Sequence, residues 1–199
     1  MLFEYDKQIR KDFPVFCGID EAGRGPLAGD VYAAAVILND NIVIDGINDS
    51  KKLSEKKREA LFDEIISKAD AYFVATASVE EIANLNILNA TMLAMKRAYE
   101  GLGVNCDLAL IDGNQMPKTT CFTKTLIKGD ATSASIAAAS ILAKVSRDRY
   151  MVKMSKLYPE YGFEKHAGYG TKAHRQAILK YGPCPIHREL FLRKILKND

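Results

Sequence analysis

The sequence predicts an α/β sandwich built on a mixed sheet. Three observations carry that expectation. Two short apolar runs near the start are joined by a glycine-rich turn too short for a crossover, strand-like and helix-like segments alternate after them, and a long alanine-rich helix follows the last strand. With 199 residues, 48% of them hydrophobic, the chain can bury one sizeable core and carry a small appendage.

Val15 to Asp20 reads as a short buried strand, and Val31 to Leu38 as a second, antiparallel to it. Ser54 precedes a charged stretch in which Leu61, Ile65 and Ala69 recur at helical spacing, and Ala71 to Ala77 follows as an apolar strand. Ser78 with Glu81 has the form of a capping box, which starts a short helix. A second helical segment begins near Ile87, carries Met92, Leu93, Met95 and Tyr99, and closes at Gly101. Leu108 to Asp112 is the next buried strand, ended by Gly113-Asn114, and a further strand through Leu126 and Ile127 reaches Lys128-Gly129-Asp130. Ser135 to about Met154 reads as one long helix whose Ala137, Ala138 and Ala139 permit close packing on a sheet. Beyond Tyr158-Pro159 the chain is rich in Gly, His, Lys and Tyr, with helical stretches near Thr171 to Lys180 and His187 to Lys197. This divides the chain into a core over 1–157 and a C-terminal helical appendage over 158–199. Periodicity does not supply the strand order.

The balance of 28 Lys and Arg against 25 Asp and Glu, a net charge of +3, permits a polyanionic partner without requiring one. No basic segment followed by an apolar one opens the chain, and no apolar run approaches the ~18 to 20 residues that span a bilayer, so a cytosolic protein is expected. Cys17, Cys106, Cys121 and Cys184 are widely spaced, which fits a reducing compartment. Cys184 and His187 form a C-x-x-H, but half a zinc site without a second half reads as structural.

The chemistry starts at Asp20-Glu21-Ala22-Gly23-Arg24-Gly25-Pro26, where two adjacent carboxylates close an apolar strand. Neighbouring strand residues point to opposite faces, so both acids serve one site only if the strand ends there and the backbone turns. In isolation they read equally well as turn residues with a salt bridge to Arg24. Asp112 closes a second apolar strand, and Asp130 follows a third, just before the long helix. Asp20, Glu21, Asp112 and Asp130 can therefore converge at one end of one sheet. Hard oxygen ligands without histidine or thiolate suit Mg²⁺ or Mn²⁺. Such a site matches two-metal phosphodiester hydrolysis, one cation activating a water and the other stabilising the leaving oxygen. Gly23 to Gly29 lacks the Gly-Lys-Ser/Thr of a nucleotide-binding loop, and two acids before it would repel a triphosphate.

Asp20-Glu21-Ala-Gly23-Arg24-Gly25-Pro-Leu-Ala-Gly closely resembles the opening motif of the ribonuclease HII family. Further blocks resemble that family in its order: Asn48 to Ser54, Asn86 to Met92, Ile111 to Asn114, Lys128 to Asp130, Ala139 to Val145 with Arg147-Asp148, and Tyr161 to Thr171. The likeness covers roughly residues 15 to 190, with a mild departure at Ala131-Thr132-Ser133 that leaves a role for Ser133 open. It implies a ribonuclease H-like fold, a five-stranded mixed sheet flanked by helices, with the four carboxylates as catalytic metal ligands. It implies a monomer and a metal-dependent endonuclease cutting 5′ of ribonucleotides in RNA/DNA hybrids and in duplex DNA, leaving 3′-hydroxyl and 5′-phosphate ends.

The same resemblance implies that backbone groups of Gly23, Arg24 and Gly25 contact the ribose 2′-hydroxyl, and that Tyr169, in the appendage, stacks on the sugar of the following deoxynucleotide. Lys51 and Lys52 are candidates to hold phosphates. His166, His174 and His187 are open between a place beside the substrate backbone and an ordinary surface, and Arg147 with Asp148 reads as a structural pair. Two rival readings remain at this point: a junction resolvase of the same fold, indifferent to the 2′-hydroxyl, and a hybrid-binding module whose carboxylates hold only a structural cation. The C-terminal tail shows no clear glutamine-led aromatic motif for a replication clamp.

Overall fold

A computed structural model describes residues 2–47, 50 and 53–196. The elements are α1 (Leu2–Arg10), β1 (Phe16–Ala22), β2 (Val31–Ile37), α2 (Glu55–Lys68), β3 (Ala71–Ala77), α3 (Val79–Gly101), β4 (Leu108–Asp112), β5 (Phe122–Leu126), α4 (Ala134–Leu157), α5 (Phe163–His166), α6 (Lys172–Tyr181) and α7 (Glu189–Leu196). The five strands form one mixed sheet in the order β3-β2-β1-β4-β5. β1 runs antiparallel to β2 and parallel to β4, and β4 is parallel to β5.

Burial explains the layers. Alternate residues of β1 and β2 face two different cores. Ile19, Ala33 and Ala35 pack with Ala90, Ala94 and Ala98 of α3 on one face. Ala34 and Val36 pack with Ala134, Ala138 and Leu142 of α4 and Leu61 and Ile65 of α2 on the other. The small side chains let α4 approach closely: a Cβ placed on Gly18 of β1 would stand 2.2 Å from the backbone carbon of Ser135.

The helix starts follow their caps. Ser54 accepts from Lys57 N–H, Ser78 and Glu81 form the reciprocal box, and Thr171 accepts from His174 N–H. Ser133, whose role the sequence left open, caps α4 by accepting from Ile136 N–H. α3 is two helices merged across Asn86, which takes φ 67°, ψ 166°, a region nearly reserved for glycine. The Asn86 side chain accepts from Leu88 and Asn89 N–H and so restarts the helix. This is the break expected between the capping-box helix and the segment beginning near Ile87.

The C-terminal segments hold a small core of their own, in which Phe163, Ile178 and Leu192 meet Met151 and Met154 of α4 and Leu27 and Ala28 of the loop after β1. Among the described residues, no helix is long and apolar enough to cross a membrane.

Candidate active site

Three of the four candidate carboxylates meet. Asp20 on β1, Asp112 at the end of β4 and Asp130 in the 3-10 turn before α4 each bring an oxygen within 4.8 Å of the others. Asp20 and Asp130 are buried, at 4% and 5% exposure. Asp112 is oriented by Gly129, whose N–H donates to its Oδ1 at 2.6 Å. Gly129 follows Lys128, which stands in the left-handed region (φ 58°, ψ 42°), so strained backbone delivers Asp130 to the cluster. Asp20 Oδ1 accepts from Glu21 N–H at 2.7 Å, and the nearby Ser140 hydroxyl of α4 favours its charged form.

Glu21 stands outside that group of three. β1 does not end at the acids but continues to Ala22, with Asp20 opposite Ala34 and Glu21 opposite Ala33, so the two neighbours alternate across the strand. The Glu21 carboxylate lies 3.6 Å from Arg24 Nη1. Burial, followed by the charges of Glu21 and Asp112, pushes the Asp20 pKa well above the usual carboxylate range. A donor set made wholly of carboxylate oxygens, crowded and buried in this way, fits Mg²⁺ or Mn²⁺ on chemical grounds, because a divalent cation would offset the repulsion that burial enhances.

Beside the cluster, Gly23, Arg24 and Gly25 line a 200 Å³ pocket together with Glu21, Ser140, Lys144, Arg147 and Tyr169. Two buried guanidinium groups hold the loop behind it. Arg147 donates to the carbonyls of Asp30, Ala28 and Ala167 at 3.2, 3.0 and 3.0 Å. Arg188 donates to those of Gly29, Arg24, Pro26 and Gly23 at 2.8, 3.0, 2.9 and 2.7 Å. The expected Arg147–Asp148 pair is thus corrected: Asp148 bonds Lys144 at 2.6 Å, one helical turn away, while Arg147 points inward to the loop. A Cβ on Gly23 (φ 97°) would stand 2.2 Å from Arg147 Nε, so glycine is required there twice over, by dihedral and by space.

Tyr169 is 46% exposed, and a Cβ on Gly25 would lie 3.7 Å from its Cε1, which places the ring alongside the loop. Its backbone is fixed at both ends: the N–H donates to His166 O at 2.8 Å and the carbonyl accepts from His174 Nδ1 at 2.9 Å. That donor role assigns the remaining protons. His174 Nε2 must accept from His187 Nε2–H at 3.0 Å, and His187 Nδ1 accepts from Cys184 N–H at 2.9 Å. His174 and His187 are 0% and 3% exposed, and burial pushes each down to about 4. These histidines are internal supports for Tyr169, not surface groups. Lys51 and Lys52 lie outside the described residues.

The description "Ribonuclease HII" belongs to the family model that matches residues 17–194, a span that takes in every candidate site residue. The ribonuclease HII of Caldicellulosiruptor saccharolyticus is 55% identical over 196 residues, covering 98% of this chain and 96% of that protein. The chain belongs to the ribonuclease HII family. It is therefore a hydrolase of the ribonuclease H endonuclease class, a divalent-metal-dependent group. Its fold is also that of solved relatives. The ribonuclease H2 of Pyrococcus horikoshii OT3 superposes with a TM-score of 0.77 at 27% identity, covering 91% of this chain and 96% of that one. The ribonuclease HII of Archaeoglobus fulgidus, in its complex with PCNA, superposes with 0.71 at 24% identity, covering 87% and 93%.

Against this ribonuclease HII framework, the residues that sequence reasoning missed are Ser140, Lys144 and Arg188, together with the true partners of Arg147. A signal was present for the two arginines. Arg147 falls one helical turn from Ala143 and Met151, and Arg188 one turn from Leu192, all of them buried. A cation on a buried stripe must find acceptors inside.

Proposed function

We propose that this member of the family cuts the phosphodiester bond on the 5′ side of ribonucleotides, both in RNA/DNA hybrids and at single ribonucleotides in duplex DNA, leaving 3′-hydroxyl and 5′-phosphate ends. The observation that carries the proposal is one juxtaposition. A buried carboxylate cluster lies next to a pocket lined by the Gly23-Arg24-Gly25 backbone and Tyr169, so a cutting centre and a sugar-reading surface adjoin.

In this reading Asp20, Asp112 and Asp130 would together hold one Mg²⁺ or Mn²⁺ ion and Glu21, on the wall of the adjoining pocket, would help hold a second, the pair supplying water activation and leaving-group stabilisation when bound. The chain's own residues do the rest. Gly129 N–H and Glu21 N–H orient Asp112 and Asp20. The loop amides contact the 2′-hydroxyl, the group that separates RNA from DNA. Tyr169 stacks on the next sugar, and Lys51 and Lys52 meet phosphates. Residues 158–199 act as a substrate-binding appendage because they carry Tyr169 and its supports.

The protein is proposed to act as a monomer in the cytoplasm, consistent with four free cysteines. A complex with PCNA is known for the Archaeoglobus fulgidus relative, and in this chain the tail after Phe191 carries no clear glutamine-led aromatic motif for a clamp. The test is to map the products from a hybrid and from a duplex with one ribonucleotide: ends that ligate and prime without repair support the reading, and 2′,3′-cyclic phosphate ends overturn it.

A further inference from the structure

The geometry points to Arg188 as a positioning residue for ribose recognition: from the C-terminal segment it aims the N–H groups of Arg24 and Gly25 at the pocket. This rests on the proposed reading of the loop as the part that meets the 2′-hydroxyl. The argument is one of peptide planes. No peptide bond in the described chain is cis, and across a trans peptide the carbonyl of one residue and the N–H of the next point in opposite directions. The Arg188 guanidinium holds Gly23 O at 2.7 Å and Arg24 O at 3.0 Å. Both carbonyls therefore face the buried cation, and the N–H groups of Arg24 and Gly25 face away from it, on the side where residues 23–25 line the pocket. The next residue, Pro26, has no N–H to compete, and its carbonyl is held by the same guanidinium at 2.9 Å.

The hold is anchored at its base. Arg188 N–H donates to Leu27 O and Gly29 N–H to Ile186 O, both at 2.8 Å, so the segment before α7 pairs with the loop like a short strand. The Phe191 ring lies 5.3 Å from the guanidinium carbon. Four carbonyls spread around one planar group match a guanidinium fork. A lysine ammonium, with three donors at a single point, cannot reach all four.

The experiment measures kcat/KM for two duplexes that differ at one position, ribonucleotide against 2′-fluoro-deoxynucleotide, with wild type, Arg188→Lys and Leu192→Ala. Leu192→Ala weakens the same C-terminal core by apolar packing alone and keeps the guanidinium that bonds the carbonyls of Gly23 and Arg24. Arg188→Lys is expected to lower the ribo-to-fluoro ratio about 10- to 100-fold, the worth of one or two hydrogen bonds, while Leu192→Ala lowers stability and keeps the ratio. If Arg188→Lys fails to fold, Phe191→Leu, which unseats the guanidinium more gently, is expected to lower the ratio about threefold. An unchanged ratio in a folded Arg188→Lys, or in Phe191→Leu when that is the variant used, overturns the assignment. A wild-type ratio near one would instead sink the reading of the loop as a 2′-hydroxyl reader.

Discussion

Acidification from about pH 7.5 to about pH 5 should destabilise the protein by about 4 kcal/mol through His174 and His187 together. Folded, each imidazole is held neutral with its pKa near 4, because both rings are cut off from water and each nitrogen already has a committed role in the Tyr169–His174–His187–Cys184 chain. Unfolded, each titrates near the ordinary 6.5. Between those values the unfolded chain binds more protons, so stability falls as the pH drops, by about 2 kcal/mol per histidine at pH 5. Raised carboxyls at Asp6, Asp20 and Asp30 act in the opposite sense, since the folded state then binds the extra proton as the pH falls through their folded pKa. The informative comparison is therefore urea unfolding of wild type and His187→Gln at both pH values, in EDTA. The variant should lose about 2 kcal/mol less than wild type on acidification. Equal losses would refute the neutral, buried assignment of His187.

Asp20→Asn removes a buried charge that Glu21 and Asp112 repel, so in EDTA its melting temperature should stay level or rise, by about 1 kcal/mol in stability, while cleavage falls at least about a hundredfold. A joint loss of stability and activity would contradict this. Gly18→Ala should cost about 3 kcal/mol in a denaturant titration, because its methyl would meet the Ser135 backbone at 2.2 Å. Ser78→Ala should cost about 1 kcal/mol by opening the capping box, with cleavage rates unmoved, since α3 carries none of the candidate carboxylates.

Much of this architecture was legible where local chemistry and burial agree. β3 occupies Ala71–Ala77 and β4 Leu108–Asp112, as their apolar runs and flanking turn residues indicate, and the Ser78–Glu81 pair marks the start of α3. Reading failed where a tertiary partner decides. β1 was expected to stop at Asp20, but β2 supplies ladder partners as far as Ala22, which separates Asp20 from Glu21 across the strand. α1 carried no clear signal. Its place is set from afar by Asp6, whose Oδ2 accepts from the Ser135 N–H and hydroxyl at the start of α4. Convergence of the acids on one sheet end could be anticipated from strand ends alone. The clamp of Arg147 and Arg188 could not, because their acceptors are carbonyls, which every residue has and no sequence pattern marks.

The most direct measurement uses a labelled DNA duplex with one ribonucleotide and its all-DNA twin, incubated with wild type and Asp130→Asn in Mg²⁺, Mn²⁺ and EDTA. The account predicts a single cut 5′ of the ribonucleotide by wild type, dependent on the metal, absent from the twin and lost in the variant. Equal cutting of the twin, or undiminished cutting by Asp130→Asn, would contradict it.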